Sequence, residues 1–528
     1  MPSQQAWARA QQASVQKRWE EAAAGYAGIV QQEPGFVPGW LEWSLALEQL
    51  DRYQDALRTA LSAARASRDP HPLVAIAVVR RLRRFELIPE MAHYVEATDL
   101  PMRLPAERLV DLAGFFSSAG LHDASIGWAR HATRLKPDLF DAHNMLGLAL
   151  MFAGRMAEAT AAFERALSLS PGSAQVYSVL SRIARIDAAS NHVNILRRML
   201  AAPSLDRESE SHLAYALHNE LHALGDYTAA WDALARGMQA KRATLEYDHA
   251  RTLRTFEAIK RAFDDPRAPQ TGDGLPDIVP IFIVGMHRSG TTLLERMLAG
   301  SPIVTDAGET YAFPATLRFA ANHFCNATID ETIAARLRAI DYRFVASRFL
   351  ETMAWRGRGN RFVTEKLNPN FQVAGSILTA LPRARLLHMA RDPVDTCFSN
   401  LRTMFTTEAP YSYDMVELAD YYRAYRDLMA FWDDRFPGAI TTIDYDAMVA
   451  DPRTTAQSVA TRCGFPFVEA MLEVDRQGGA VSTASVDVVR KGFLPNRGGA
   501  WEPYRRQLAP LIDRLALPGA AVSSHAVT

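Results

Sequence analysis

Cysteine is scarce in this sequence of 528 residues. The three cysteines, Cys325, Cys397 and Cys463, lie far apart and have neither the spacing of a metal site nor that of a disulfide framework. Free thiols persist in a reducing compartment, in which disulfides are rare. The scarcity of cysteine therefore argues against a disulfide-stabilised protein and against a cysteine-based metal centre.

The sequence also lacks an excess of charge of either sign and any long apolar run. A formal net charge of −1 gives no reason to expect nucleic acid or an anionic membrane surface as a partner. No apolar run approaches the roughly 18–20 residues of a membrane-spanning helix. Residues 1–7 show no basic segment followed by an apolar one, which is the pattern of a signal peptide. We therefore expect a cytoplasmic protein with no nucleic-acid or membrane partner.

What the sequence does contain is an internal repeat. Apolar residues make up 48% of the total, which is enough for several globular domains. Over residues 1–265 they recur three and four positions apart, which predicts helices throughout. The Ala-Gly pairs 119–120 and 153–154 lie 34 residues apart, as do Pro137 and Pro171, and this is the period of tetratricopeptide repeats. The first half is therefore predicted to be a tetratricopeptide-type helical solenoid.

Such a solenoid forms a concave surface that suits a peptide or a partner protein. Trp40, Trp43 and Trp128 are candidates to line that surface, and packing in the core is the role that we favour for them. A protein partner in the solenoid groove is thus an expectation from architecture alone. The oligomeric state stays open.

Composition changes at residues 266–280, which hold four prolines and two glycines and are predicted to be a linker. After it, strand-like apolar runs at 281–284, 385–389 and 439–443 alternate with helical stretches. This layout predicts an α/β domain with a mostly parallel sheet over residues 281–528. Ligands of such sheets bind at the carboxyl ends of the strands, so the chemistry is expected there.

The most informative stretch is residues 280–296, PIFIVGMHRSGTTLLER. It reads as a buried strand, a short loop between Gly285 and Gly290, and the start of a helix. That geometry presents backbone N–H groups and the positive end of a helix dipole to an anion. Arg288 adds a cation, and hydroxyl donors follow from Ser289, Thr291 and Thr292. The stretch therefore predicts a turn that binds phosphate or sulfate.

The spacing of Gly285 and Gly290 matches the nucleotide-triphosphate P-loop, but Thr291 stands where that loop has its lysine. The lysine serves the triphosphate, whereas a single 5′-phosphate joined to a sulfate needs less charge. A nucleotide kinase is therefore a disfavoured alternative, which magnesium-dependent turnover of ATP would revive.

The segment 288–293, Arg-Ser-Gly-Thr-Thr-Leu, resembles the 5′-phosphosulfate loop of sulfotransferases that use 3′-phosphoadenosine 5′-phosphosulfate. It is most similar to the branch that contains the tyrosylprotein sulfotransferases and bacterial tetratricopeptide–sulfotransferase fusions, and the helical first half fits the fusion type. The resemblance implies this donor as co-substrate, adenosine 3′,5′-bisphosphate as product, and no metal. It also implies donor contacts from His287, Arg288, Ser289, Gly290, Thr291 and Thr292.

The resemblance continues at Arg391, which ends a predicted strand, and at Ser399, about two helical turns later. In the family this pair holds the 3′-phosphate, and a guanidinium with a hydroxyl suits that group. A further family arginine falls on Thr403 here, with Arg402 beside it. One phosphate contact is therefore uncertain.

Three more donor contacts follow from the resemblance. Tyr445 matches a tyrosine that contacts the adenosine, and Ser485 and Lys491 fit a serine and a basic residue that close the site. The family has a cation before a tryptophan near the C-terminus, whereas Ala500 precedes Trp501 here. How this part of the donor site is completed stays open.

The catalytic groups that the resemblance implies are Glu309, Arg288 and Lys366. Glu309 follows Gly308, as does the general base of tyrosylprotein sulfotransferases, and Lys366 matches a lysine that stabilises the leaving oxygen. Asp306 and His287 are rival bases.

We therefore predict an enzyme that moves a sulfuryl group to an acceptor hydroxyl. The branch favours a tyrosine in a protein or peptide, and a saccharide or a small molecule stays open as acceptor. The alternative from another class is a tetratricopeptide interaction scaffold with a degenerate sulfotransferase domain.

Overall fold

The computed structural model describes residues 4–67, 71–265, 274–405, 408–474, 493 and 498–516. In its first half it has fifteen α-helices: α1 Gln4–Val15, α2 Trp19–Gln32, α3 Val37–Gln49, α4 Tyr53–Ala66, α5 Pro72–Arg84, α6 Ile88–Ala97, α7 Ala106–Ser118, α8 His122–Leu135, α9 Phe140–Phe152, α10 Met156–Leu169, α11 Ala174–Ile183, α12 Val193–Leu200, α13 Arg207–Ala223, α14 Tyr227–Arg242 and α15 His249–Ala262. The predicted helical solenoid is confirmed.

The helix pairs turn at residues with positive φ, and these residues show the repeat more clearly than the sequence does. Five successive pairs turn at Lys17, Asp51, Glu86, Gly120 and Gly154, with φ between 56° and 77°. Their spacing is 34 or 35 residues throughout. Left-handed backbone favours glycine, and only the last two turns carry it. The first three repeats were therefore harder to recognise from their sequence.

Small residues allow the paired helices to approach closely. A Cβ atom on Gly147 of α9 would lie 2.7 Å from the ring of Phe163 on α10. Ala159 and Ala166 of α10 are fully buried in the same cluster. The three tryptophans that were candidates for the groove, Trp40, Trp43 and Trp128, are partly buried and pack against the solenoid core.

The second half contains a sheet of five parallel strands. They are β1 Val279–Gly285, β2 Val304–Asp306, β3 Phe362–Glu365, β4 Arg385–Ala390 and β5 Ile440–Asp444, in the order β2-β3-β1-β4-β5. The predicted parallel sheet is confirmed. Strand β2 was not predicted, because three residues are too few to show an alternation of apolar and polar side chains. Strand β1 begins inside the stretch predicted as a linker, and the domain boundaries stay a prediction.

Ten α-helices surround the sheet or follow it in the described residues: α16 Thr291–Ala299, α17 Ala312–Ala321, α18 Glu331–Arg336, α19 Tyr342–Gly357, α20 Ala374–Ala380, α21 Pro393–Leu401, α22 Met415–Arg435, α23 Tyr445–Ala450, α24 Pro452–Cys463 and α25 Ala509–Leu515. Short 3₁₀ segments include Asn368–Val373, Pro410–Tyr413 and Glu502–Tyr504. Among the described residues, no helix is both long enough and apolar enough to cross a membrane.

The solenoid and the α/β half share one hydrophobic core. Phe263 after α15 stacks edge-on against Trp432 of α22, with ring centroids 5.2 Å apart. Tyr504, in the C-terminal segment, is fully buried, and its hydroxyl lies 2.8 Å from Nδ1 of His222 on α13. Arg242 of α14 makes a two-bond ion pair with Glu417 of α22. Helices α13 to α15 are therefore part of the hydrophobic core that packs against the sheet.

A histidine joins the two halves at the α3–α4 turn. Nδ1 of His323 lies 2.6 Å from a carboxylate oxygen of Asp51, and its Nε2 lies 2.9 Å from a carboxylate oxygen of Asp330. The ring of His323 therefore lies between two carboxylates, one from each half. The other carboxylate oxygen of Asp51 accepts the backbone N–H of Phe324 at 2.8 Å.

We predict that His323→Gln weakens the contact between the halves, because glutamine carries its N–H donors on a single nitrogen and cannot reach carboxylates on both sides of the ring position. The free energy of unfolding should fall by about 1–2 kcal/mol, and the midpoint of thermal unfolding should fall with it. His93→Gln, an exposed change on α6, is the matched control. Equal midpoints for the two variants would contradict the assigned role.

A second prediction concerns the buried carboxyl group of Glu365 at the end of β3. One oxygen accepts the hydroxyl of Thr310 at 2.8 Å, and the other has no hydrogen-bond partner among the described residues. Burial raises the pKa of Glu365 from 4.5 to about 8. The folded protein therefore holds this proton to a higher pH than the unfolded chain does.

It follows that wild-type stability falls, relative to Glu365→Gln, as the pH rises from about 4.5 towards 8. The variant should be more stable by about 2–3 kcal/mol at pH 7 and nearly equal to wild type at pH 4.5. Denaturant unfolding at several pH values measures the difference. A difference that does not change with pH would show that the carboxyl group is not protonated in the fold.

Candidate functional site

The loop after β1 is held in a shape that glycine makes possible. Gly290, which precedes α16, has φ of 109°, and a Cβ atom there would lie 2.4 Å from the ring of Tyr445. Arg288 also has positive φ, at 69°. The backbone N–H groups of the first turn of α16 follow directly. The predicted strand, loop and helix are therefore all present at the carboxyl end of β1.

Ser289 supplies a direct sign that this loop suits an anion. Its side chain is 1% exposed, and its hydroxyl has no hydrogen-bond partner among the described residues. A buried hydroxyl without a partner costs free energy, so such atoms usually meet a ligand or water. An oxyanion held by the loop would satisfy it.

Three further predicted residues lie against this loop. Nε of Arg288 donates to the hydroxyl of Ser399 at 3.2 Å, and a guanidinium N–H of Arg391 donates to the carbonyl of Arg288 at 3.3 Å. The Arg391 guanidinium lies 4.6 Å from the centre of the Tyr445 ring. The ends of β1, β4 and β5 thus bring two arginines, a serine and a tyrosine to one place.

Glu309 and Lys366 form an ion pair at the same edge of the sheet. Nζ of Lys366 donates to a carboxylate oxygen of Glu309 at 2.6 Å, and the Lys366 side chain is only 1% exposed. The backbone N–H of Lys366 donates to the carbonyl of Gly308 at 3.0 Å. Burial raises the pKa of Glu309, and the positive charge of Lys366 opposes that rise. The pair places a carboxylate beside a shielded cation.

Asn368 connects this pair to the anion-binding loop. Its amide oxygen accepts the hydroxyl of Thr291 at 3.1 Å, and its amide N–H donates to the carbonyl of Met286 at 3.2 Å. Because Lys366 and Asn368 are two residues apart, one short segment contacts both the loop and Glu309. The register supports this, since Phe282 of β1 pairs with Glu365 of β3.

The two rival bases lie in other surroundings. Nδ1 of His287 is 2.9 Å from the hydroxyl of Tyr411, and burial lowers the pKa of this histidine to about 4. A carboxylate oxygen of Asp306 lies 4.0 Å from the guanidinium of Arg296. His287 is thus a neutral side chain held by the 3₁₀ segment at Tyr411.

Thr403 and Arg402, which occupy the position of the uncertain phosphate contact, have other partners. The hydroxyl of Thr403 donates to the carbonyl of Ser399 at 2.7 Å, within its own helical turn. A guanidinium nitrogen of Arg402 lies 3.4 Å from Nε2 of His222 on the solenoid. Ser485 and Lys491, which were predicted to close the donor site, lie outside the described residues.

Sequence reasoning missed several polar residues of the site. The amide of Asn400 on α21 donates to the carbonyl of His287 at 2.7 Å, and so fixes the loop from the side opposite Asn368. Thr310 and Glu365 hold the segment after Glu309 against β3. No motif marks these residues, because their partners are distant in sequence. The only available signal was a short polar run, Glu365-Lys366-Leu367-Asn368, directly after a buried strand.

The geometry combines an anion-binding loop with a carboxylate–ammonium pair. Together these groups are suited to the transfer of an anionic group to a hydroxyl. Among the described residues, no group of three or more His, Cys, Asp or Glu side chains is placed to hold a metal ion.

Comparisons with other proteins agree with this arrangement. Residues 280–469 match the sulfotransferase family, and residues 140–173 match the tetratricopeptide repeat. An uncharacterised protein of Aquifex aeolicus (strain VF5) is 27% identical over 345 residues. That match covers 62% of this chain and 44% of the Aquifex protein, so the chain spans less than half of that relative's length.

Solved structures give weaker similarities. The sulfotransferase domain of the Synechococcus PCC 7002 olefin synthase is 16% identical over 47% of this chain and 98% of that chain, with a TM-score of 0.27. MamA is 17% identical over 31% of this chain and 94% of that chain, with a TM-score of 0.26. YrrB, a tetratricopeptide protein, is 13% identical over 40% of this chain and 98% of that chain, with a TM-score of 0.26. These scores are too low to carry an argument.

The two family matches and the two folds fall on the same halves of the chain. They support a fusion of tetratricopeptide repeats with a sulfotransferase domain, and the sulfotransferase-family match supports sulfotransferase activity.

Proposed function

We propose that this protein transfers a sulfuryl group from 3′-phosphoadenosine 5′-phosphosulfate to an acceptor hydroxyl, and that a tyrosine of a protein or peptide is the acceptor. The observation that carries the proposal is the position of the Glu309–Lys366 ion pair beside the Ser289 loop. An anion site alone would suit any phosphate ligand. The pair adds a carboxylate that can accept a proton and a cation that can stabilise a leaving oxygen, and transfer of a group to a hydroxyl uses both.

The residues of the loop fit the donor. The N–H groups at the start of α16 and the unpartnered hydroxyl of Ser289 suit the 5′-phosphosulfate. Arg391 and Ser399 suit the 3′-phosphate, because a guanidinium binds phosphate bidentately and a hydroxyl donates to a remaining oxygen. Tyr445, which packs against Gly290 and Arg391, would contact the adenosine.

The donor supplies the sulfuryl group, and its sulfur–oxygen bond breaks with the electron pair passing to the bridging phosphate oxygen. Glu309 accepts the proton of the acceptor hydroxyl while that oxygen forms a bond to sulfur. Lys366 donates a hydrogen bond to the bridging oxygen and stabilises its new charge. Arg288 holds the sulfate oxygens in line with the attacking hydroxyl.

The ion pair connects the role of Glu309 as proton acceptor to the role of Lys366 in stabilising the leaving oxygen. While Lys366 donates to Glu309, the carboxylate is stabilised in its charged form and is a weak base. When Lys366 turns towards the bridging oxygen, Glu309 loses that stabilisation and its pKa rises further. A tyrosine hydroxyl, with a pKa of about 10, needs such a base at neutral pH.

The first test is binding of adenosine 3′,5′-bisphosphate by calorimetry. We expect wild type to bind it and Arg391→Ala to bind it more weakly by about 2–3 kcal/mol, which is about 30- to 150-fold. Arg383→Ala is the matched control, because Arg383 is an exposed arginine before the opposite end of β4 and pairs with Asp277. Absence of binding to wild type would favour the interaction scaffold over the enzyme.

The second test is the pH dependence of transfer. The base works only when deprotonated, so the wild-type rate should fall as the pH falls through the raised pKa of Glu309. Glu309→Gln should bind the bisphosphate normally, lose about 10²–10⁴-fold in rate, and lose the acidic limb of the profile. Bisphosphate release from the donor, with N-acetyltyrosinamide, a simple phenol or a saccharide as acceptor, measures the rate.

Glu164→Gln, on the exposed side of α10, is the control for the removal of a carboxylate. If Glu309→Gln keeps the wild-type rate and pH profile, then another residue acts as the base. A rate with the saccharide alone would change the acceptor class and leave the donor chemistry in place.

A further inference from the structure

A series of hydrogen-bonded side chains ends at His287 in the anion-binding loop. It begins at Gln372, in the 3₁₀ segment Asn368–Val373. The amide nitrogen of Gln372 donates to the hydroxyl of Tyr421 on α22 at 3.0 Å. The hydroxyls of Tyr421 and Tyr411 are hydrogen-bonded to each other. The hydroxyl of Tyr411 in turn lies 2.9 Å from Nδ1 of His287, which completes a hydrogen-bond chain into the loop.

Packing holds the members of this hydrogen-bond chain in place. The rings of Tyr411 and Tyr421 are both buried and stack with centroids 3.6 Å apart and planes 12° from parallel. The ring of Phe405 lies edge-on to that of His287, with centroids 5.4 Å apart. The amide of Asn400 donates to the backbone carbonyl of His287 at 2.7 Å. His287 is therefore held through both its ring and its backbone.

The direction of every proton follows from the first member of the hydrogen-bond chain. An amide nitrogen only donates, so the hydroxyl oxygen of Tyr421 accepts from Gln372. The proton of Tyr421 then has the oxygen of Tyr411 as its acceptor among the described residues. The proton of Tyr411 is left for Nδ1 of His287. In the opposite direction the buried hydroxyl proton of Tyr421 would have no acceptor, which costs free energy.

A neutral histidine whose Nδ1 accepts a hydrogen bond carries its proton on Nε2. Burial lowers the pKa of His287 to about 4, an effect that the charge of Glu408 opposes and the charges of Lys366 and Arg288 assist. The ring is therefore neutral at physiological pH. His287 is partly exposed, and its Nε2 is not buried and has no hydrogen-bond partner among the described residues. The loop thus offers an uncharged N–H donor close to two cations of the site.

We propose that Tyr411 is a positioning residue, and that the hydrogen-bond chain fixes the proton of His287 on Nε2, where it donates to an oxygen of the transferred sulfuryl group. This inference rests on the proposed sulfuryl transfer, since it assigns His287 to that reaction. It removes His287 from the candidate bases, because Nε2 already carries a proton and Nδ1 already accepts one from Tyr411. A fixed donor of this kind stabilises negative charge on the sulfuryl oxygens without reorganisation.

The first test measures the tautomer of His287 in the full-length protein without donor. Nitrogen NMR spectra of protein labelled isotopically at histidine distinguish a protonated ring nitrogen from an unprotonated one. His287 is one of 14 histidines, and its signals are those that disappear in His287→Gln. We expect a protonated Nε2 and an unprotonated Nδ1 at neutral pH. A protonated Nδ1 in wild type would overturn the inference.

The second test reverses the hydrogen-bond chain from its far end. The carboxylate in Gln372→Glu only accepts, so the proton of Tyr421 turns towards it and the proton of Tyr411 turns towards Tyr421. Nδ1 of His287 must then donate, and Nε2 loses its proton. We expect the protonated signal to move to Nδ1 and the rate of transfer to N-acetyltyrosinamide to fall about 10²-fold. Gln457→Glu, an exposed change on α24, is the matched control and should alter neither the tautomer nor the rate.

Two substitutions of His287 separate the roles of its ring nitrogens. Glutamine places its amide nitrogen near the position of Nε2, whereas the shorter asparagine places it near that of Nδ1. We expect His287→Gln to keep most of the transfer rate and His287→Asn to lose about 10²-fold. Both variants should bind adenosine 3′,5′-bisphosphate as wild type does, because that ligand has no sulfuryl group, and this binding also shows that they are folded. Equal transfer rates of the two variants would contradict the role of Nε2.

A merely structural role of Gln372 would give a different result. Gln372→Glu would then lower the stability or the bisphosphate affinity and leave the proton of His287 on Nε2, and this outcome would also overturn the inference. A failure of the proposed function is separate. It appears as absence of bisphosphate binding and of transfer by wild type, whereas the tautomer of His287 is measured on the protein without donor.

Discussion

An ammonium group as deeply buried as that of Lys366 must have an anionic partner, and this requirement organises the site. Glu309 is that partner. The backbone hydrogen bond from Lys366 to Gly308 holds the segment with Glu309 against the end of β3. Asn368 then connects that strand end to the anion-binding loop. One charge pair therefore fixes the relative position of Glu309, Lys366 and the loop. Preorganisation of this kind lowers the cost of reaching a transition state.

The sequence was most informative where function depends on a continuous stretch. The loop at 285–292, Arg391 with Ser399, and Lys366 after a strand were each recognisable, because a strand end delivers neighbouring residues to one place. Residues that act across the fold gave no such signal. Asn400 supports the loop from another helix, and Arg80 and Arg318 line one pocket only because the solenoid folds against α17. Their chemistry depends on tertiary structure, which residue spacing alone does not encode.

The turns of the solenoid also show that sequence pattern alone does not reveal every structural feature. Glycine marked the repeats at 120 and 154, whereas Asp51 and Glu86 take the left-handed conformation without it. These two turns also contact the α/β half, since Asp51 pairs with His323 and Glu86 lines a pocket between α5 and α17. Ala119, in the next turn, accepts a hydrogen bond from Arg356. Contact with the α/β half thus falls on three successive turns and accounts for two residues that depart from the repeat pattern.

The shared core has a consequence for how such a fusion evolves. Phe263 packs on Trp432, and Tyr504 returns from the C-terminal segment to His222 of the repeats, so the two halves cannot be separated without opening apolar surface on both. A solenoid of this kind cannot be exchanged for another set of repeats without changes in the α/β half. Repeats could be added most simply beside α1 and α2, whose buried residues form a separate cluster with α3, whereas α13 to α15 would have to change in step with the residues of the α/β half that they contact.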